Sequence, residues 1–100
     1  MAIRFHKTAL VTGVKDQEAA AFAAEISNYV TETLGMPTAW GMQVGGTSGT
    51  LHWFTDYANM TELEAGLVKV TTDAGYNEVL AKAKDLFVDG RTEDSIIYMM

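Results

Sequence analysis

Four short stretches of the chain are rich in β-branched and aromatic residues, in part alternating with polar ones, and this pattern predicts four β-strands. The predicted strands span residues 3–12, 38–44, 50–55 and 95–99. A glycine-rich segment, residues 45–49, joins the second strand to the third and is typical of a hairpin connection. In the third strand both faces are largely apolar, which indicates that neither face looks onto bulk water.

Apolar side chains at three- and four-residue steps predict a helix between the first two strands. Its stripe includes Phe22, Ile26 and Val30. We expect Asp16 to be the N-cap, and we expect Gly35 to end the helix because glycine readily adopts the left-handed conformation there.

A second helical region is predicted to begin near residue 60, where Asn59 with Glu62 and Thr61 with Glu64 both have the spacing of a capping box. β-branched residues and a glycine interrupt the pattern at residues 70–75. The helical spacing resumes from Tyr76 to about Phe87 and is expected to close at Gly90.

The predicted order β-α-β-β-α-β belongs to the α+β class and is the split βαβ, ferredoxin-like arrangement, in one domain spanning residues 1–100. It gives a four-stranded antiparallel sheet with both helices on one face. The other face would remain open although its residues are partly apolar. The sequence therefore predicts a homodimer packed through the open sheet face.

Composition narrows the possible functions. The 100 residues contain thirteen acidic and seven basic side chains, a net charge of −6, and no cysteine. The basic residues are scattered, whereas nucleic-acid binding needs a clustered basic patch. Without cysteine there is no disulfide framework or thiolate metal site. No stretch approaches the length of a membrane span or a signal peptide, so we expect a cytoplasmic protein.

The second half of the sequence carries a recognisable succession of features. They are His52-Trp53-Phe54 in the third strand, Asp56-Tyr57 before the helix, the break at Asp73-Ala74-Gly75, and the aromatic-led segment Tyr76 to Leu80. This succession resembles the NIPSNAP-like group of the dimeric α/β-barrel superfamily, close to the antibiotic-biosynthesis monooxygenases. The resemblance implies a sheet-packed dimer. The superfamily includes cofactor-independent monooxygenases, polyketide cyclases, haem-degrading enzymes and members without known activity, so it does not select one function.

Two histidines are the candidate catalytic residues. His52 can act as a general base or a haem ligand, or simply pair with a neighbour at an interface. His6 lies in the first strand, which should adjoin the third, and the two rings can meet only if the strand register permits. No third ligand accompanies them, so we expect no metal site.

Aromatic residues are the candidate ligand-binding residues, although each can equally belong to the core. Trp40 and Trp53, on neighbouring strands, form the preferred pair. The full set of candidates adds two tyrosines and two polar residues that could fix a polar group: Tyr57, Tyr98, Arg4 and Gln43.

Two functions remain open from the sequence. In the first, the protein binds a small apolar or aromatic molecule between sheet and helices, or acts as an interaction module, without a cofactor. In the second, it is a cofactor-independent monooxygenase or cyclase-type enzyme, in which His52 or His6 moves a proton and Tyr57 or Tyr98 donates a hydrogen bond. Haem binding is a third hypothesis.

Overall fold

A computed structural model of the chain describes residues 2–100 and contains four strands and three helices. In chain order they are β1 (Ile3–Val11), α1 (Asp16–Glu32), β2 (Thr38–Met42), β3 (Thr50–Tyr57), α2 (Met60–Thr72), α3 (Ala74–Ala81) and β4 (Phe87–Tyr98). The predicted α+β, ferredoxin-like order is confirmed, with the second helical region divided into α2 and α3.

The four strands form one antiparallel sheet in the order β2-β3-β1-β4. Lys7 of β1 lies opposite Trp53 of β3, and Trp53 lies opposite Trp40 of β2. Because successive residues of a strand point to opposite faces, this register decides which side chains share a face. Phe5, Lys7 and Trp53 share one face with the helices.

The helices cover that face and form the core with it. Ala19 and Ala23 of α1 are fully buried against Leu51 of β3, where small side chains allow helix and sheet to approach closely. One turn further along, Phe22 and Ile26 pack with side chains of α3 and of the segment before β4. No helix within residues 2–100 covers the opposite face of the sheet, and we call it the open sheet face.

The ends of α1 are close to those predicted. Asp16 is the first helical residue, not the N-cap. Lys15 occupies the N-cap position and makes no side-chain capping bond. Gly35 has a φ of 72°, the left-handed conformation expected of the residue that ends the helix.

Asn59 is the N-cap of α2, as predicted, but Glu62 bonds to the amide before the cap and not to the Asn59 amide of a full capping box. The side-chain oxygen of Asn59 accepts a hydrogen bond from the Glu62 amide at 2.9 Å, and the Glu62 carboxylate accepts one from the Ala58 amide at 3.3 Å. The break that separates α2 from α3 falls at Asp73, whose backbone is extended.

Asp73 is also the N-cap of α3 and links α3 to α1. Its carboxylate accepts hydrogen bonds from the amide of Tyr76 and from the hydroxyl of Tyr29. A Cβ on Gly75 would lie 2.1 Å from the Tyr29 hydroxyl oxygen, so only glycine leaves room for this contact.

The predicted end of the last helix is wrong. The helix ends at Ala81, and β4 begins at Phe87 and runs for 12 residues through Gly90 to Tyr98. Phe87 fits the helical spacing, but it packs on Trp53 from the strand, with ring centroids 6.0 Å apart. Gly90, with a φ of 78°, lies in an irregularity where Phe87 to Thr92 of β4 face only Val11 to Ala9 of β1.

Candidate functional site

A cavity of about 270 Å³ lies between the sheet and the helices. Its walls are mostly apolar and come from the sheet, from α1 and from the α2–α3 cover. The main lining residues are Phe5, Lys7, Phe22, Ile26, Ser27, Val30, Trp53, Thr55, Tyr57, Leu67, Tyr76, Leu80 and Phe87. An apolar cavity with a few polar groups is typical of a small-molecule site.

Two buried polar atoms in this wall have no hydrogen-bond partner among residues 2–100. They are the hydroxyl oxygen of Ser27, whose side chain is 3% exposed, and the indole nitrogen of Trp53. A buried polar group without a partner costs free energy, and most buried polar groups in folded proteins are therefore paired. Both residues belong to the cavity wall, and the polar atom of each lies beneath the accessible surface.

Five further polar side chains of the wall are paired or protonated. The hydroxyls of Thr38 and Thr55 lie 2.8 Å apart, and the amino group of Lys7 lies 2.8 Å from the Asp94 carboxylate. Burial raises the pKa of Tyr57 above its usual value. Burial likewise raises the pKa of Tyr76. Both phenols are therefore protonated at neutral pH and can donate hydrogen bonds to a guest, but they cannot serve as bases.

Gly66 fixes the position of Tyr57 from the side of α2. A Cβ at this glycine would lie 2.7 Å from the Tyr57 ring and hydroxyl and 2.9 Å from the Met36 sulfur. The Tyr57 hydroxyl donates a weak hydrogen bond to that sulfur at 3.5 Å. The missing side chain of Gly66 thus accommodates the Tyr57 ring beside the cavity.

The structure separates the predicted aromatic residues. Trp53 and Tyr57 line the cavity, whereas Trp40 and Tyr98 are not among its lining residues. Trp40 is the register partner of Trp53 but lies on the edge strand and is 37% exposed. Tyr98 is 59% exposed near the end of the other edge strand. The preferred Trp40–Trp53 pair is therefore not a pair within the cavity.

The two histidines meet on the open sheet face. Thr8 lies opposite His52 and Phe54 lies opposite His6, so the two imidazoles are diagonal neighbours. Nε2 of His6 lies 2.8 Å from Nδ1 of His52, and Nε2 of His52 lies 2.8 Å from Oε1 of Gln43. We call this arrangement the His6–His52–Gln43 chain.

The Gln43 amide determines where the protons of the chain lie. Its nitrogen donates to the Gly45 carbonyl at 2.7 Å, so its oxygen faces His52 and accepts from Nε2–H. A neutral His52 then has an unprotonated Nδ1, which must accept from Nε2–H of His6. The structure gives Nδ1 of His6 no hydrogen-bond partner among the described residues, and this nitrogen is the free base of the chain.

Aromatic and charged side chains lie next to the His6–His52–Gln43 chain on the same face of the sheet. The His6 ring stacks on Phe54 with centroids 4.6 Å apart, and the Arg4 guanidinium lies 5.4 Å from the Phe54 centroid. Arg4 donates two hydrogen bonds to Asp56, at 2.8 and 3.1 Å, and these lower the pKa of the Asp56 carboxyl.

Burial lowers the pKa of His6 below its ordinary value of 6.5. His52 and Arg4 lower it further, and Glu93 opposes them. The free base of the chain is therefore uncharged at neutral pH.

Beside the chain lies a polar groove of about 300 Å³ on the open sheet face. His52, Gln43, Arg91 and Glu93 contribute to its lining together with threonines of β1 and β3. Both ring nitrogens of His52 are already engaged, which leaves none free for haem iron. No cluster of three or more metal-ligating side chains occurs within residues 2–100.

The sheet therefore divides the predicted site into two. Trp53 and Tyr57 face the cavity, while His6, His52, Arg4 and Gln43 belong to the opposite face. A histidine cannot move a proton on a substrate held at Trp53 in this geometry, because the histidines and Trp53 lie on opposite faces of the sheet.

Sequence reasoning missed Ser27 and Phe22 as cavity residues. The signal for Ser27 was present, because a polar residue stands between Ile26 and Val30 on the apolar face of a helix. The alternation of β1 puts Lys7 on the same face as Phe5, but its place in the cavity wall depends on the packing of α2 and α3.

No protein-family model and no curated protein sequence matches this chain. Solved structures do. An uncharacterized NIPSNAP-like domain protein from Burkholderia xenovorans superposes with a TM-score of 0.84 at 11% identity, covering 99% of this chain and 85% of that one. A NIPSNAP family protein from Agrobacterium tumefaciens gives a TM-score of 0.79 at 14% identity, over 100% and 94% of the two chains.

The chain has the fold of the NIPSNAP-family proteins. SnoaB, a cofactor-independent oxygenase from Streptomyces nogalater, shares this fold, with a TM-score of 0.70 at 10% identity over 98% of this chain and 92% of that one. The suspected structural relationship to NIPSNAP-like and monooxygenase-like proteins is thus confirmed at the level of the fold. None of the described helices is both long and apolar enough to cross a membrane.

Proposed function

We propose that the protein binds a small aromatic molecule carrying one or two oxygen atoms in the cavity between sheet and helices. The observation that carries this proposal is that two residues of a mostly apolar wall, Ser27 and Trp53, have a buried and unpaired polar atom, Oγ and Nε1 respectively. A guest whose oxygen atoms reach these groups after a small side-chain shift, accepting from the indole N–H and exchanging a hydrogen bond with the serine hydroxyl, would remove both penalties.

The cavity volume limits the size of the guest. A cavity of about 150 Å³ in another protein holds benzene. At about 270 Å³, this cavity fits a molecule of roughly two fused rings. Edge-on rings around it, such as Phe22 and Trp53 with centroids 6.4 Å apart, favour a flat guest over a branched one.

A matched pair of probes tests the proposal. Naphthol and naphthalene have nearly the same shape, and only naphthol offers a hydroxyl. We expect naphthol to bind about fivefold more tightly, since one hydrogen bond contributes roughly 1 kcal/mol. Titration calorimetry measures both. Trp53→Phe should remove the preference for naphthol, whereas Trp40→Phe, outside the cavity wall, should keep it. Equal binding of both probes by the unaltered protein would contradict the proposal.

A cofactor-independent oxygenase is the second candidate function, and its support is the fold shared with SnoaB together with two aromatic donors, Trp53 and Tyr57, in the cavity. The candidate is placed second because the titratable cavity groups are a paired lysine and two protonated tyrosines. Oxygen uptake after addition of a dihydroxynaphthalene is the direct assay. Uptake that Tyr57→Phe reduces would favour the enzyme.

We also propose that two copies associate through the open sheet face. The molecule carries a net charge of −6, which opposes self-association. The charged residues that flank the histidines, however, have a net charge of zero. They are Arg4 and Arg91 against Asp56 and Glu93. A neutral face of an acidic molecule is the face on which a second copy meets least repulsion.

Analytical ultracentrifugation tests this association. Phe54→Asp places a charge in the middle of the open face and should give a monomer. Val68→Asp places the same charge on the outer side of α2, where the side chain is 61% exposed, and should leave the dimer intact. A monomer for the unaltered protein would refute the proposed dimer.

A further inference from the structure

We propose that the His6–His52–Gln43 chain makes the association of two copies dependent on pH, because both imidazoles must be uncharged in the dimer. This inference rests on the dimer proposed above.

The geometry allows the chain to accept one proton and no more without rearrangement. With the Gln43 amide oriented by the Gly45 carbonyl, every nitrogen of the two rings is engaged except Nδ1 of His6. A proton added there leaves all three groups hydrogen-bonded. A second proton would place N–H groups against each other between the two rings and would break the 2.8 Å contact.

Gln43 is held in this orientation by the loop that follows β2. A Cβ at Gly46 would lie 2.9 Å from the Gln43 side-chain nitrogen, and Gly46 has a φ of 73°, so glycine provides both the turn and the space. The chain is therefore anchored at one end by the backbone and has its free base at the other.

The charges of this face already sum to zero before the proton is added. On β1, Arg4 is paired with Asp56 of β3. On β4, Glu93 lies opposite Thr8 and favours the proton, while Arg91 lines the same groove. These four charges cancel, so one proton makes the face positive. In a two-fold symmetric dimer the open sheet face of one copy packs on the open sheet face of the other, so the interface carries two such charges.

Burial against a second copy adds to this effect, since removal of water disfavours the charged imidazole. Each copy must then lose its proton to associate. Linkage gives a dissociation constant that rises by up to about 100-fold for each pH unit below the pKa of His6, because two protons are released per dimer.

The experiment measures the dissociation constant by analytical ultracentrifugation from about pH 8 to about pH 5.5, the range in which imidazoles titrate. We expect a dimer at the upper end that weakens steeply towards the lower end. His6→Gln keeps a hydrogen-bond donor towards His52 but cannot be protonated, and its dissociation constant should not change with pH. His52→Gln keeps the free base of His6 and should keep the pH dependence.

The outcomes separate this inference from the dimer itself. A dimer of constant strength across the range overturns the pH dependence and leaves the dimer. A monomer at every pH overturns both. Should His6→Gln fail to fold, ring nitrogen NMR of the unaltered protein decides. Nδ1 of His6 must take up the first proton, and first uptake at Nδ1 of His52 overturns the inference.

Discussion

Replacement of Ser27 by alanine should stabilise the protein in its ligand-free form. The hydroxyl is buried and has no partner, so its removal relieves a cost of about 1–3 kcal/mol. Alanine also has a higher helix propensity than serine, by about 0.5 kcal/mol in a helix interior. The two effects have the same sign and together predict a gain of at least about 1.5 kcal/mol.

The helix-propensity part needs its own control. Asn28 is the next residue of α1 and is exposed, so Asn28→Ala changes helix propensity without touching the cavity. The difference between the two variants isolates the buried hydroxyl. For a domain of this length, 1 kcal/mol corresponds to roughly 4–8 °C in the melting temperature.

Urea unfolding of protein stripped of ligand by unfolding and refolding, followed by tryptophan fluorescence, measures the free energies. The same Ser27→Ala substitution should weaken naphthol binding, because the lost hydroxyl is a partner for the guest. A Ser27→Ala protein no more stable than Asn28→Ala would refute the reasoning. It would show that the hydroxyl is already satisfied, for example by a carbonyl one turn earlier in α1.

Three further predictions concern other parts of the chain. Gly66→Ala should lower the free energy of unfolding by about 1–3 kcal/mol, because the added methyl overlaps the Tyr57 ring; an increase in a urea titration would contradict this packing. Asn59→Ala should cost about 1 kcal/mol in the same titration through loss of the cap on the Glu62 amide, and no loss would show that the cap contributes nothing. Because the pKa of His6 is lowered, the unfolded chain binds more protons, so stability should fall as the pH drops below 6.5; His6→Gln should remove this slope in thermal melts.

Much of the fold follows from local sequence patterns. Alternation along β1 is enough to place Phe5 and Lys7 on one face and His6 on the other, and the cap at Asn59 marked the start of α2. The boundary between α3 and β4 did not follow, because Phe87 satisfies helical and strand spacing equally. Its environment beside Trp53 decides the matter, and that environment is tertiary.

The site was predictable only as an inventory of residues. Whether His6 and His52 touch depends on a register in which Thr8 faces His52, and no local pattern fixes that register. Whether the Ser27 hydroxyl is satisfied depends on what α1 packs against. The adjacency of His52 and Trp53, by contrast, already implied opposite faces, since neighbours in a strand diverge.

That adjacency has a consequence for how this protein can change. In strand β3 the Trp53 indole faces the cavity and the His52 imidazole faces the opposite side, so the strand itself separates the two groups. One residue inserted between Thr50 and His52 would shift the register by one, so that the imidazole would face the cavity and the indole would face the open sheet face. Insertions should therefore be tolerated in the loop at residues 45–49 and rejected a few residues later. A scan of single-residue insertions across this hairpin would show at which residue insertions cease to be tolerated.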